Sequence, residues 1–410
     1  MFQLTCLGDV TRFRCVGCST GFETEAMPGL SCKACGDLLE WIPGHSVSTG
    51  SLLPPPQDFT MWRYAAMLPQ IDEGGIVSLS EGGTPLHYAD GLAEATGVEE
   101  LFLKNEGKNP TGSFKDRGMS VALTAAKACG VKVAVCASTG NTASSMSAYC
   151  ARANIRSIVL VPRGKVAKAK LRQCAAYGGT IAEVNGNFDM ALDLVKQTAG
   201  IEGAAVMNSI NPFRIEGQKT GAFEVCDQLS SAPDWLVIPV GNGGNITSYW
   251  KGFNEFRQMG VISSLPKMIG VQAEGAAPIV HAFAEERETV RFVEKPETEA
   301  TAIRIGRPAN WKRALAAIRD SGGAAVSVTD NEIKSARRLI SEKEGMLVEL
   351  ASASTVAAVK KVASKGLIRK GETVVCVATG NGLKDLDADI EFTASPVSTV
   401  GDISGLIGTI

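Results

Sequence analysis

From about Leu101 to Ala378 the chain repeats one local rhythm, in which a short β-branched run leads through a turn into a stretch with helical spacing. The runs are Val131 to Ala137, Arg156 to Val161, Thr180 to Val184, Ala204 to Met207, Trp235 to Val240, Met268 to Gln272 and Thr373 to Ala378. They are too short for helices and apolar enough to be strands covered on both faces, and the helical stretches supply the crossovers that parallel strands need. The pattern predicts an α/β protein with largely parallel sheets. No internal period accompanies it, which disfavours a solenoid. In such folds ligands collect where strands turn into helices.

Three of those turns are unusual. Ala137-Ser-Thr-Gly-Asn-Thr142 follows a strand and precedes a helical run from Ala143 to Ala153, so its hydroxyls, amide and backbone donors suit either an anion or ordinary helix capping. Pro239-Val-Gly-Asn-Gly-Gly-Asn245 has the glycines that let successive amides close on a phosphate ahead of a helix starting near Ile246. It is neither a Walker loop, lacking Gly-Lys-Ser/Thr, nor the dinucleotide fingerprint, whose third glycine would fall on Ile246. Thr373 to Gly382 ends a strand in Thr379, a neutral hydroxyl that suits a pyridine ring nitrogen or serves simply as a turn residue.

Asn109-Pro-Thr-Gly-Ser-Phe-Lys115-Asp-Arg-Gly118 adds a lysine between a tight turn and a helix running from Arg117 toward Cys129. An ammonium is disfavoured at the positive end of a helix, so the neutral amine needed to condense with a carbonyl is easier to populate. That makes Lys115 a candidate pyridoxal phosphate anchor, against the plain alternative of a first-turn surface lysine.

With 410 residues, 45% hydrophobic and 20% charged, the chain can bury a large core, enough for two domains and an appendage. Its formal charge of -2, without a basic run or interleaved aromatics, argues against nucleic acid as a partner. Neither a leader in Met1 to Asp9 nor a membrane-length apolar stretch is evident, so the expectation is a cytoplasmic protein without a membrane partner. Of eleven cysteines, Cys15-Val-Gly-Cys18 and Cys32-Lys-Ala-Cys35 form two knuckles whose four thiolates suit a closed, structural zinc site. Reduced thiols without metal are the alternative. Singly placed cysteines such as Cys136, Cys150, Cys174, Cys226 and Cys376 read as core residues in a reducing compartment. Leu52-Leu-Pro-Pro-Pro-Gln-Asp58 reads as a linker.

Lysine, asparagine loop, glycine cradle and terminal threonine occur in that order, and over roughly Ser80 to Asp387 the chain resembles the threonine synthases among the fold-type II pyridoxal phosphate enzymes. The most specific stretches are Lys104 to Gly118, Asn208 to Lys219, Val240 to Thr247 and Ala300 to Gly306. Some members also carry a cysteine-knuckle segment. The resemblance implies two open, twisted, largely parallel sheets with helices on both faces, plus a small zinc-ribbon-like segment. The expected division is 1–50 for the knuckles, 51–117 and 209–410 for a large cofactor-binding domain, and 118–208 for a smaller mobile domain. It implies conversion of O-phospho-L-homoserine and water into L-threonine and phosphate, and the family's habit implies a homodimer.

Roles follow position by position from the same resemblance. Lys115 anchors the cofactor and shuttles protons; Asn141 meets the cofactor's 3-oxygen, Gly241, Asn242, Gly243, Gly244 and Asn245 hold its phosphate, and Thr379 meets its ring nitrogen. Ser138 and Thr142, with Ser209, Arg214 and Asn242, bind the substrate phosphate, while Thr139 and Gly140 seat the α-carboxylate. Arg214 is the most discriminating, because a guanidinium grips a dianion bidentately; its alternative is an ion pair with Glu216. Two departures stand out: Thr379-Gly-Asn381-Gly-Leu-Lys-Asp385 has asparagine where histidine is common, and Leu350-Ala-Ser-Ala-Ser stands for Pro-Ala-Ser-Ala-Ala. The first puts any proton relay at that position in doubt. Rival readings are an enzyme using O-phosphoserine, a threonine dehydratase, and a non-catalytic sensor of pyridoxal phosphate or an amino-acid phosphate.

Overall fold

The β-branched runs form strands, and the reason is visible in how their side chains divide. A computed structural model describes residues 11–24, 31–43, 59–70, 75–163, 168–185, 188–198 and 201–386. The expected leader-free start and the proline-rich linker Leu52–Asp58 lie outside the described residues. Thirteen strands appear among them: β1 (Thr11–Cys15), β2 (Gly21–Thr24), β3 (Leu39–Ile42), β4 (Leu86–Tyr88), β5 (Glu100–Asn105), β6 (Val133–Ala137), β7 (Arg156–Pro162), β8 (Thr180–Val184), β9 (Ala204–Val206), β10 (Trp235–Pro239), β11 (Lys267–Ala273), β12 (Ala324–Val328) and β13 (Thr373–Ala378). They make a six-stranded sheet in the order β12-β11-β10-β13-β5-β4, a four-stranded sheet β8-β7-β6-β9 and a three-stranded sheet β2-β1-β3. The four-stranded sheet is wholly parallel, the six-stranded one is parallel apart from the β4–β5 edge, and the small sheet is antiparallel.

Alternation along β10 explains the layering. Trp235 and Val237 join one core with Val374, Cys376 and the helix Leu350–Ala363, whereas Leu236 and Ile238 join another with Val375, Val377 and the helix Gly244–Gln258. Both faces are therefore apolar and both are covered, at about 1.5–3 kcal/mol per large side chain buried. β4, β5 and β12 were not among the expected runs. β12 is half-exposed at a sheet edge and carries weaker apolar character, and β4 has only one partly buried residue among three.

The helix Lys115–Ala128 begins at the lysine itself, two residues earlier than its apolar pattern suggests. Its first turn lies directly against the helix Pro212–Leu229, because two glycines meet there: a Cβ on Gly217 would sit 2.0 Å from the Arg117 carbonyl oxygen, and one on Gly118 would sit 2.7 Å from the Arg214 carbonyl oxygen. Behind this contact Arg117 is fully buried. Its Nε and Nη2 donate to Glu106 at 2.7 and 2.8 Å, and its Nη1 and Nη2 donate to Glu224 at 2.6 and 2.7 Å. Lys104 completes the group at 2.7 Å from Glu224. Breaking such a pair from one side costs about 3–5 kcal/mol, so the start of the lysine-bearing helix is held firmly.

The knuckle sheet docks on the helices Pro212–Leu229 and Gly244–Gln258 and on the head of a third. Phe13 meets Phe213 edge to face at 5.7 Å, the Trp41 carbonyl accepts from Lys251 Nζ at 3.3 Å, and Asp37 pairs with Lys312 at the head of the helix Trp311–Asp320.

Candidate active site

A cavity of about 620 Å³ opens between the two parallel sheets, and every residue named from the turns lines it: Lys115, Ser138, Thr139, Gly140, Asn141, Thr142, Ser209, Arg214, Gly241, Asn242, Gly243, Gly244, Asn245 and Thr379. Each arrives by a local device. The loop before Lys115 runs antiparallel to the end of β13, bridging Ser113 to Gly380 and bonding Phe114 N–H to the Thr379 carbonyl at 3.1 Å, which brings lysine and threonine together. Thr379 is buried, its hydroxyl 3.0 Å from that of Ser352. The Ser138–Thr142 turn follows β6 and opens the helix Asn141–Ala153. Asn208 fastens that turn, exchanging two hydrogen bonds with the Ala137 backbone at 2.9 and 3.1 Å.

The glycine turn after β10 takes its shape from Gly243, which has φ +82° and caps the helix Gly244–Gln258. Only glycine adopts that conformation freely, and a Cβ there would also lie 3.0 Å from Ala314 Cβ. The turn is braced from outside by Asn310, whose N–H donates to the Asn242 carbonyl at 2.9 Å and whose Nδ2 donates to the Ser209 carbonyl at 3.3 Å.

Electrostatics single out the lysine. Enclosure by the cavity walls and the nearby Arg214 charge hold its amine well below the usual lysine range, with the Glu349 carboxylate acting in the opposite sense. Its Nζ lies 4.1 Å from the centre of the Phe114 ring. A neutral amine there is a nucleophile toward carbonyls and a proton acceptor.

Arg214 is 1% exposed, and its partner is not Glu216, which pairs with Lys219 at 2.6 Å and Lys251 at 3.1 Å. The guanidinium donates through Nη1 to the Met207 carbonyl at 3.2 Å, leaving Nε and Nη2 buried without acceptors. Burial lowers it to about 10. Asn245 has both side-chain polar atoms unpaired, and Asn141 has Oδ1 unpaired. Buried donors without acceptors cost about 1–3 kcal/mol each, and a phosphorylated ligand would satisfy them. The residues present thus fit an aldehyde cofactor carrying a phosphate: an amine of low basicity, a glycine turn on a helix start, a neutral hydroxyl, and a free fork for a second anion.

Asn381, the residue in the common histidine position, serves the backbone: its Oδ1 accepts from Leu383 N–H at 3.0 Å and its N–H donates to the Gly112 carbonyl at 2.9 Å. It does not line the cavity and has no proton to relay. Sequence reasoning did not single out Asn208, Ser352, Glu349 or Lys170, whose partners lie far along the chain.

The four knuckle sulfurs lie within 4.8 Å of one another. Cys15 and Cys35 are 3.4 Å apart and Cys18 and Cys32 are 3.7 Å apart, near the roughly 3.8 Å edge of a tetrahedron with 2.3 Å zinc–sulfur bonds. Gly17 and Cys18 N–H groups point at Cys15 Sγ and Ala34 N–H at Cys32 Sγ, at 3.3–3.4 Å, so the donor set fits a tetrahedral thiophilic ion.

Residues 77–380 match the family model described as pyridoxal-phosphate dependent enzyme. A threonine synthase of Methanocaldococcus jannaschii is 50% identical over 399 residues, covering 96% of this chain and 98% of the relative. The chain belongs to the threonine synthase family. A second threonine synthase, from Methanosarcina acetivorans, is 45% identical over 395 residues, covering 96% and 97%. Among solved structures, the processed form of threonine deaminase isoform 2 from Solanum lycopersicum superposes with a TM-score of 0.63 at 22% identity, over 87% of this chain and 96% of that one, a likeness of fold alone. As in the rest of the family, the chain is a pyridoxal phosphate-dependent enzyme acting on a small molecule. Among the described residues no helix is long and apolar enough to cross a membrane.

Proposed function

We propose that this chain converts O-phospho-L-homoserine and water into L-threonine and inorganic phosphate, with Lys115 as the catalytic residue. Bound pyridoxal phosphate supplies an electron sink for carbanions on the substrate. Asn141 and Thr379 orient the cofactor ring, and Gly241 to Asn245 hold its phosphate. Lys115, its amine free once substrate is bound, would take the Cα proton, remove a proton from Cβ as phosphate departs from Cγ, and return a proton to Cγ. Water would then add its oxygen at Cβ and give up a proton, Lys115 would return a proton to Cα, and the remaining proton would leave with the phosphate, so that the product has a methyl group, a hydroxyl and its Cα–H. Thr139 and Gly140 seat the α-carboxylate.

The observation that carries the substrate class is Arg214, a buried guanidinium with two unpaired donors on the same cavity as the depressed lysine. Ser138, Thr142, Ser209 and Asn242 surround the anion it would grip. The test incubates purified protein with O-phosphohomoserine, O-phosphoserine and threonine separately, following phosphate release and keto-acid formation. Phosphate and threonine from the first substrate alone is the expected result; phosphate from O-phosphoserine only would overturn the substrate assignment.

Residues 118–208, which contain the four-stranded sheet, form the smaller mobile domain in this reading, moving against 51–117 and 209–410, with the knuckles in 1–50. Cys15, Cys18, Cys32 and Cys35 hold a structural zinc. One zinc per chain in a chelator-free, reduced preparation supports that site, and none would remove it. The working form is a homodimer, which sedimentation would test.

A further inference from the structure

Lys170 is a buried lysine on the cavity wall that none of the steps above uses. It lies on the helix Lys168–Ala176, on the side of the four-stranded sheet, with its side chain 1% exposed. Its Nζ forms an ion pair with Glu349 Oε1 at 2.9 Å and donates to Asp385 Oδ1 at 3.1 Å. Glu349 heads the helix Leu350–Ala363 and Asp385 follows β13, so both belong to the side of the six-stranded sheet. Glu349 is fully buried, and its other oxygen, Oε2, accepts from Asn141 Nδ2 at 2.8 Å. The chain of contacts runs from Lys170 through Glu349 to the amide that opens the cavity-lining helix.

We propose that Lys170 is a positioning residue for the reaction: by clasping Glu349 and Asp385 across the cleft it fixes the carboxylate that orients the Asn141 amide. A carboxylate only accepts, so Nδ2 must face Glu349, and the amide cannot turn over while Glu349 is held. That leaves the second amide N–H and the unpaired Oδ1 for the cofactor. Lys170 does not act as a phosphate ligand, since the trio of one ammonium and two carboxylates carries a net charge of -1 and offers an anion no free charge. Burial works against the Lys170 charge, but Glu349 and Asp385 outweigh it and keep the amine above the usual lysine range. The clasp also sets the field at Lys115. The charges facing that amine are Arg214, from the helix Pro212–Leu229, and Glu349. Glu349 is in turn faced by Lys170 and by Lys384, which is half-buried and held below the usual lysine range by desolvation, with Glu349 and Asp116 opposing, while Asp385 sits beyond Lys170.

The inference rests on the proposed seating of the cofactor on Lys115 and Asn141. Holoenzyme carrying Lys170→Met is compared with wild type, Lys170→Arg and the Lys170→Met/Glu349→Gln double variant, reading pyridoxal phosphate Kd, the pH midpoint of the cofactor's visible absorbance, and kcat and KM separately. With Glu349 no longer offset, Lys170→Met moves the midpoint upward by about one pH unit. It lowers kcat about tenfold to a hundredfold, on the scale of a misplaced reacting group, with KM changed less and the cofactor bound more weakly. The double variant returns the midpoint to its wild-type value, because both charges are gone. An unmoved midpoint with unchanged Kd and kcat in Lys170→Met would overturn the clasp, as would a double variant displaced as far as the single one. Should Lys170→Met fail to fold, Lys170→Arg decides: a kcat deficit at an unmoved midpoint supports the clasp, and wild-type kcat sinks it. Borohydride trapping of the wild type separates the two levels. Adduct absent from Lys115 removes the seating itself, whereas adduct on Lys115 with a flat response to Lys170→Met removes only the clasp.

Discussion

Two buried guanidinium sites lie on either side of one helix contact, and they are finished differently. Behind the Lys115–Ala128 helix, Arg117 meets Glu106 and Glu224 through Nε, Nη1 and Nη2. In front, across the glycine contact, Arg214 has one carbonyl partner and two donors facing nothing. Both groups are desolvated to a similar degree, so burial alone does not separate scaffold from site. What separates them is whether the donors were satisfied when the chain folded.

The variants that probe this contrast are ordered by expected effect. Lys115→Ala, at the head of the shared helix, abolishes turnover and the cofactor's visible absorbance while the melting temperature of the apoprotein stays near wild type; retained absorbance would take this lysine out of the chemistry. Arg117→Met should cost about 3–5 kcal/mol in denaturant unfolding, the toll of leaving two buried carboxylates with one cation fewer. A loss below 1 kcal/mol would show that the back region is not the scaffold described. Arg214→Gln should lower kcat/KM about a hundredfold to a thousandfold through the lost fork, without loss of stability, since a buried charge lacking a carboxylate is relieved on removal. A stability loss as large as that of Arg117→Met would erase the comparison.

The smallest effect belongs to Asp116, beside the lysine and fully buried, which accepts from Thr111 N–H at 2.7 Å and Thr111 Oγ1 at 2.6 Å. Burial raises its carboxyl from 3.8 to about 6 despite those bonds. The folded state therefore holds this proton more tightly than the unfolded chain, so its contribution is fully present below pH 3.8 and is lost as pH rises through about 6. Measured against Asp116→Asn, wild type should lose at most about 3 kcal/mol across that window. A difference that is flat with pH would refute it.

The turns were legible because each carries its signal locally. Gly243 needs a positive φ, Ser138 to Thr142 begin a helix, and Thr379 ends a strand, so glycine, hydroxyl and amide residues mark the cavity rim without any knowledge of contacts. Strands β8 and β13 were legible to the residue, since their β-branched runs are bounded by turns. β12, an edge strand with partial exposure, lacked that contrast, and β4 and β5 fell at or before the start of the rhythm. Glu349 and Lys170 left no local trace: an isolated glutamate before Leu350 and a lysine in a basic helix gain meaning only when residues far apart in sequence meet. The same holds for Arg117, which reads as a first-turn surface charge until Glu106 and Glu224 close around it.

The glycine pair at the helix crossing has one more consequence. With Gly217 positioned so that a methyl group would sit 2.0 Å from the Arg117 carbonyl, the spacing between the two helices is set by a missing atom rather than by a contact. Lysine and arginine are thus calibrated to one another by backbone thickness alone, a ruler with no adjustable rotamer. Alanine at that point would act as a wedge, lengthening the reach between amine and fork while altering neither of them.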